Sequence, residues 1–189
     1  PLSCKGRGLC PTCGGRRMTT LSQHISDAVL PDVPLRQWVL TLPYPLRYPA
    51  AFDQKLCTEI HRIFARTLHA SYRRSAEERG QLGGQSGAVT FVQRFGSALN
   101  LNPHFHLLAI DGTFHRQRSA AVEAGADPGA EEPEALRFVH APPLTQQKLE
   151  ALLLKVHRKL LRMLQRRGLL EDGLEDPLAE QSPALAACY

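Results

Sequence analysis

The sequence predicts an α+β fold in which a mainly antiparallel sheet carries long helices packed on one face. Three observations lead there. Short β-prone segments bounded by Pro and Gly recur along the chain. Two long stretches carry apolar residues at helical spacing, and the order runs strand, helix, strand, strand, strand, helix, a pattern that one sheet covered on one face accommodates. With 189 residues, 43% of them hydrophobic, the chain is long and apolar enough to bury one sizeable core.

The elements follow from local signals. RQWVLTL (36–42) is β-prone and sits between Pro34 and Pro43, so it reads as the first strand. YPLRYP reads as a Pro-rich turn, because Pro45 and Pro49 oppose helix formation. From about Ala50 to Arg74 the residues Phe52, Leu56, Ile60, Ile63, Phe64, Leu68 and Tyr72 form a helical stripe, with Arg62, Arg66, Arg73 and Arg74 off it. GQLGGQSG (80–87) is a connector, Ala88–Phe95 a second strand, 96–103 a loop, and His104–Ile110 a third strand closed by a turn at Asp111-Gly112. Residues 116–135 lack any period and read as a disordered insertion before a short strand at Leu136–Val139. Thr145 suits the N-cap of a last helix reaching Arg167, and Gly168 suits its C-cap.

The ends differ from this core. Residues 1–17, PLSCKGRGLCPTCGGRR, hold too few large apolar residues to build a core and need a staple such as a metal. A short helix over 19–30 follows and ends at Pro31. Cys4-x5-Cys10-x2-Cys13 has the spacing with which a chain wraps tetrahedral zinc, so Cys4, Cys10 and Cys13 are candidate Zn2+ ligands in a partial zinc knuckle, with His24 a weak fourth. Three regions result: a partial zinc-binding module (1–30), a core (31–170), and an acidic tail (171–189). The chain opens at Pro1 without an initiator Met, which reads as a piece of a longer protein.

Charge is uneven. Residues 1–118 hold 15 Lys and Arg against 7 Asp and Glu, while residues 119–189 hold 8 against 11. A polyanion contact is therefore expected in the first two thirds. Lys5, Arg7, Arg16 and Arg17 surround the knuckle and suit phosphate contact. No apolar run is long enough for a membrane span and no signal core opens the chain, so a cytoplasmic protein is expected.

The sharpest chemical feature is His104-Phe105-His106. In a strand, residues i and i+2 project from one face, so both imidazoles reach one ion while Phe105 points into the core. An H-x-H pair alone is weak evidence, since most such histidines are structural. An unrelated metal-dependent hydrolase would need carboxylates beside the pair, and residues 80–110 contain none.

In context the pair says more. AVTFVQRFGSALNLNPHFHLLAIDG (88–112), preceded by VPLRQWVLTLPYPLRY (33–48) and CKGRGLCPTCGGRRM (4–18), resembles the rolling-circle insertion-sequence transposases of the His-hydrophobic-His (HUH) superfamily, over about residues 2–170 and truncated at both ends. The resemblance implies an HUH nuclease-like fold and an N-terminal zinc-binding domain. It implies that His104 and His106 bind a divalent ion, magnesium or manganese (Mg2+ or Mn2+), and that the chain acts on single-stranded DNA at transposon ends, with Arg94 joining the basic residues above as a DNA contact. The family cleaves DNA by attack of a tyrosine on the scissile phosphate. That tyrosine is expected outside this chain: Tyr72 lies on a buried stripe, Tyr189 in a small-residue tail, and Tyr44 and Tyr48 in the Pro-rich turn. The third metal ligand stays open between Asp111, Gln93 and His140. A DNA-binding remnant that cuts nothing is the alternative reading.

Overall fold

A computed structural model describes residues 11–96, 100–117 and 135–170. The chain divides into two compact units, Pro1–Val33 and Pro34–Tyr189. The expected insertion and tail fall largely or wholly outside the described residues.

The first unit is helical. Helix α1 runs Pro11–His24 and continues as a π-helical turn, Ile25–Val29. It begins inside the segment read from the sequence as a coreless knuckle. Pro11 explains the start, since Pro costs no hydrogen bond at a first helical position. Gly14 and Gly15 masked the helix, each disfavouring it by about 1 kcal/mol. The Thr19 and Thr20 hydroxyls donate back to the carbonyls of Gly15 and Arg16. Residues 15–24 are exposed, so packing within the described helix does not stabilise it.

The second unit is α+β. It contains β1 (Leu35–Thr41), α2 (Tyr44–Phe52), α3 (Gln54–Glu77), β2 (Ala88–Phe95), β3 (Leu101–Ile110), β4 (Gly112–Arg116), β5 (Leu136–His140) and α4 (Gln146–Arg166). Instead of the single expected sheet there are two antiparallel ones. The first has the order β1-β3-β2, and β4 pairs with β5 in the second. Gly112 marks the passage between them: a Cβ there would collide with the Val139 carbonyl oxygen and the Phe138 ring. The Asp111-Gly112 signal thus encodes close approach of two backbones rather than a hairpin turn.

The YPLRYP segment is a helix, not a turn. Pro45 lies in the first turn of α2, where a backbone N–H has no intrahelical acceptor, so only Pro49 removes a helical bond. Asp53 separates α2 from α3 and caps the latter by accepting from the amides of Lys55 and Leu56. Phe52 therefore falls on α2 and is exposed, off the stripe predicted for it. The remainder of the stripe is buried at Leu56, Ile60, Phe64, Leu68 and Tyr72. Helix α4 is capped as its sequence predicts: the Thr145 hydroxyl accepts from the Lys148 amide, and Gly168 has a φ of +66°.

Strand β3 divides the molecule by parity. Phe105, Leu107 and Ala109 are fully buried and pack with α3 and with Val156, Leu160, Met163 and Leu164 of α4. The alternate residues Asn102, His104, His106 and Leu108 are only half-buried. Strand β3 also begins earlier than expected, and Pro103 lies within it. Phe95 pairs with Leu101 and Gln93 with His104, so Asn102 and Pro103 together face Arg94 alone. This is a bulge, where a residue without an N–H interrupts no ladder bond.

At the other end of the sheet, Asp111 joins three elements. Arg36 of β1 donates to it twice, at 2.9 and 2.6 Å, and the Tyr72 hydroxyl of α3 donates at 3.2 Å. The Trp38 indole donates to that hydroxyl in turn at 3.1 Å. Hydrogen bonding to Asp111 raises the Arg36 guanidinium above its ordinary range, and burial pushes the Tyr72 hydroxyl up to about 12. Replacing Asp111 with Ala strands a partly buried guanidinium and should lower stability by about 2 kcal/mol in urea unfolding. An unchanged midpoint would show that the network does not hold these elements together.

Candidate metal centre

The two histidines lie on the sheet face opposite the helices. Register sets their neighbours: Thr41 and Gln93 flank His104, while Val39 and Phe91 flank His106. Directly opposed residues share a face with their Cβ atoms about 5 Å apart. The imidazoles themselves stand side by side, with ring centroids 4.9 Å apart.

Each ring is oriented through its Nδ1. The His104 Nδ1–H donates to the Asn102 carbonyl at 2.7 Å, which leaves Nε2 as the nitrogen carrying the free lone pair. The His106 Nδ1 accepts from the Gln37 carboxamide nitrogen at 2.8 Å, which places the hydrogen of a neutral ring on Nε2. Its Nε2 is buried and has no hydrogen-bond partner. An orphaned buried ring nitrogen is costly unless something outside the protein's own atoms satisfies it. The Asn102 Oδ1, two residues before His104 on the same strand parity, is likewise buried and unpartnered. With the Gln37 carboxamide turned over so that its oxygen accepts from Nδ1–H, both imidazoles present Nε2 lone pairs and, with an oxygen donor on the same parity, fit a mixed nitrogen and oxygen site for a divalent ion.

The three candidates for a further ligand separate. Asp111 is engaged by Arg36 and Tyr72 and lies at the opposite end of β3. His140 belongs to β5, pairs with Gly112 and packs edge-on against Phe138. Gln93 stands directly across from His104. Among the described residues no group of three or more His, Cys, Asp or Glu is placed to hold a metal. Gln93, and Asn102 two residues before His104 on β3, are thus candidate oxygen donors beside the pair.

Of the other predicted site residues, Arg94 lies at the β3 bulge and donates to the Ala51 carbonyl at 3.1 Å. Arg16 and Arg17 are exposed on α1. Cys4, Lys5, Arg7 and Cys10, and the side chain of Cys13, lie outside the described residues. Gln37 was missed by motif reading, although a polar residue at outward parity in the apolar run RQWVLTL was a legible signal.

Comparison with known proteins supports an insertion-sequence transposase with an N-terminal zinc-binding domain. Residues 1–42 match the family described as "Transposase zinc-binding domain", and residues 87–177, which include β2, β3 and α4, match the family described as "Putative transposase". No curated protein and no solved structure matches the chain. Among the described residues no helix is long and apolar enough to cross a membrane.

The geometry predicts that neutral His104 is the Nδ1–H tautomer, to be read from long-range 1H–15N couplings. An Nε2–H tautomer would contradict the Asn102 contact and remove the lone pair from the site.

Proposed function

We propose that this chain, a relative of insertion-sequence transposases, is the metal-binding part of an HUH-type domain that acts on single-stranded transposon ends. The observation that carries this reading is the histidine pair on the open sheet face, with the buried, unpartnered Nε2 of His106. His104 and His106 would hold the ion, a magnesium or manganese, with Asn102 or Gln93 as an oxygen donor. When bound, the ion supplies positive charge to the oxygens of a phosphodiester. The protein's own part is orientation. The Asn102 carbonyl fixes the His104 ring, Gln37 fixes the His106 ring, and the buried Phe105 between them keeps the backbone from turning either histidine inward.

The N-terminal unit serves as a zinc module in this reading, with Cys4, Cys10 and Cys13 as ligands and Lys5, Arg7, Arg16 and Arg17 contacting DNA phosphates. No attacking tyrosine is assigned within the chain. Burial, two hydrogen bonds and a raised pKa count against Tyr72. Tyr44 and Tyr48 stand on a helix after all, which removes the objection drawn from their prolines, so the test has to include them.

The experiment mixes the chain with labelled single-stranded oligonucleotides carrying element ends, with and without Mn2+, and resolves the products on a denaturing gel alongside calorimetry of Mn2+ binding. The reading predicts Mn2+ binding that is lost in His104→Ala and His106→Ala, single-strand binding that Mn2+ strengthens, and no covalent adduct. Mn2+ binding indifferent to both substitutions would overturn the metal site. An adduct abolished by changing one tyrosine to Phe would place the nucleophile within this chain.

A further inference from the structure

Helix α2 carries an unusual surface. Tyr44, Tyr48 and Phe52, spaced four residues apart, remain 78%, 67% and 71% exposed. Four-residue spacing sets side chains along one side of a helix, while Ala50 and Ala51 are the buried residues of α2. The Tyr48 and Phe52 rings lie 4.6 Å apart, and the Arg47 guanidinium sits 5.9 Å from the centre of the Tyr44 ring. A row of three large rings facing water has no role in the core, and such patches mark binding surfaces.

Two further features specify the occupant. Arg47 is anchored to the Leu42 carbonyl and Arg94 to the Ala51 carbonyl, so two guanidiniums are tethered on or beside α2. Among the described residues neither has a carboxylate partner. The row also begins three residues after Thr41, the β1 residue that pairs with His104. Rings flanked by unpaired positive charge suit a chain of planar bases joined by phosphates, whereas an apolar protein segment would leave both guanidiniums unanswered.

We propose that Tyr44, Tyr48 and Phe52 form a stacking platform for unpaired bases, with Arg47 and Arg94 taking the adjacent phosphates, leading a single strand along the end of the sheet that bears His104. This rests on the single-strand reading above and adds the surface that would distinguish a strand with splayed bases from a duplex. The platform acts through its rings; the tyrosine hydroxyls take no part.

The test is fluorescence anisotropy of the full chain with a labelled oligothymidine and with a duplex of equal length. Tyr44→Ala, Tyr48→Ala and Phe52→Ala should each weaken single-strand binding by roughly tenfold, the scale of one lost base stack. Tyr44→Phe and Tyr48→Phe should bind as the parent does, and duplex binding should not change. All three substituted positions carry exposed side chains, so urea midpoints should stay at the parent value and separate a binding loss from unfolding. Alanine variants that bind the single strand normally would overturn the platform. So would Phe variants that fail as the Ala variants do, or Ala variants that alter only self-association in sedimentation. A parent chain without affinity for single strands would overturn the functional reading as well, whereas normal parent binding with unaffected variants would remove the platform alone.

Discussion

The two-residue period of β3 is the constraint on which the rest of the second unit depends. Phe105, Leu107 and Ala109 are drawn into the core by the apolar faces of α3 and α4, and their burial fixes the parity of the strand. A slip of one residue would bury both imidazoles and expose the Phe105 ring, at a cost of several kcal/mol from lost apolar burial and desolvated polar groups. The histidines are therefore held outward by residues that take no part in any chemistry. Phe105 is further locked by stacking against the His61 ring of α3, 5.9 Å between centroids.

The two ends of β3 divide the labour. At one end, the bulge at Asn102 and Pro103 turns a carbonyl toward His104 and leaves a carboxamide oxygen unpartnered beside the site. At the other end, Asp111 is spent on Arg36 and Tyr72, tying β1 and α3 to the point where the chain crosses into the second sheet. That separation places the carboxylate in a structural role and leaves imidazoles and carboxamides as the metal candidates among the described residues. A site of this kind carries little charge of its own, which suits an ion that is to be shared with an anionic phosphodiester.

Much of this was legible in the sequence because the relevant signals are short-range. Strand parity alone placed His104 and His106 on one face, and Thr145 and Gly168 bounded α4 correctly. What escaped notice depends on tertiary context or on position within an element. Pro45 and Pro49 argued against a helix, but Pro45 falls in the first turn, where a missing N–H goes unnoticed. Gly14 and Gly15 hid the start of α1. Strand β4 is five residues beside an aperiodic insertion, too short to announce itself, and its partner β5 follows that insertion. The role of Gln37 arises only from register, which brings residue 37 to a histidine ring numbered 106.

The central claim is that the outward histidine pair is a metal site. Crystals of the chain soaked in Mn2+ and measured near the manganese absorption edge test it most directly. The account predicts one anomalous peak on the open sheet face, in contact with Nε2 of both His104 and His106 and absent when either is replaced by Ala. A peak elsewhere, or an Nε2 of His106 found hydrogen-bonded to a protein group in solvent-filled crystals without manganese at the pair, would contradict it.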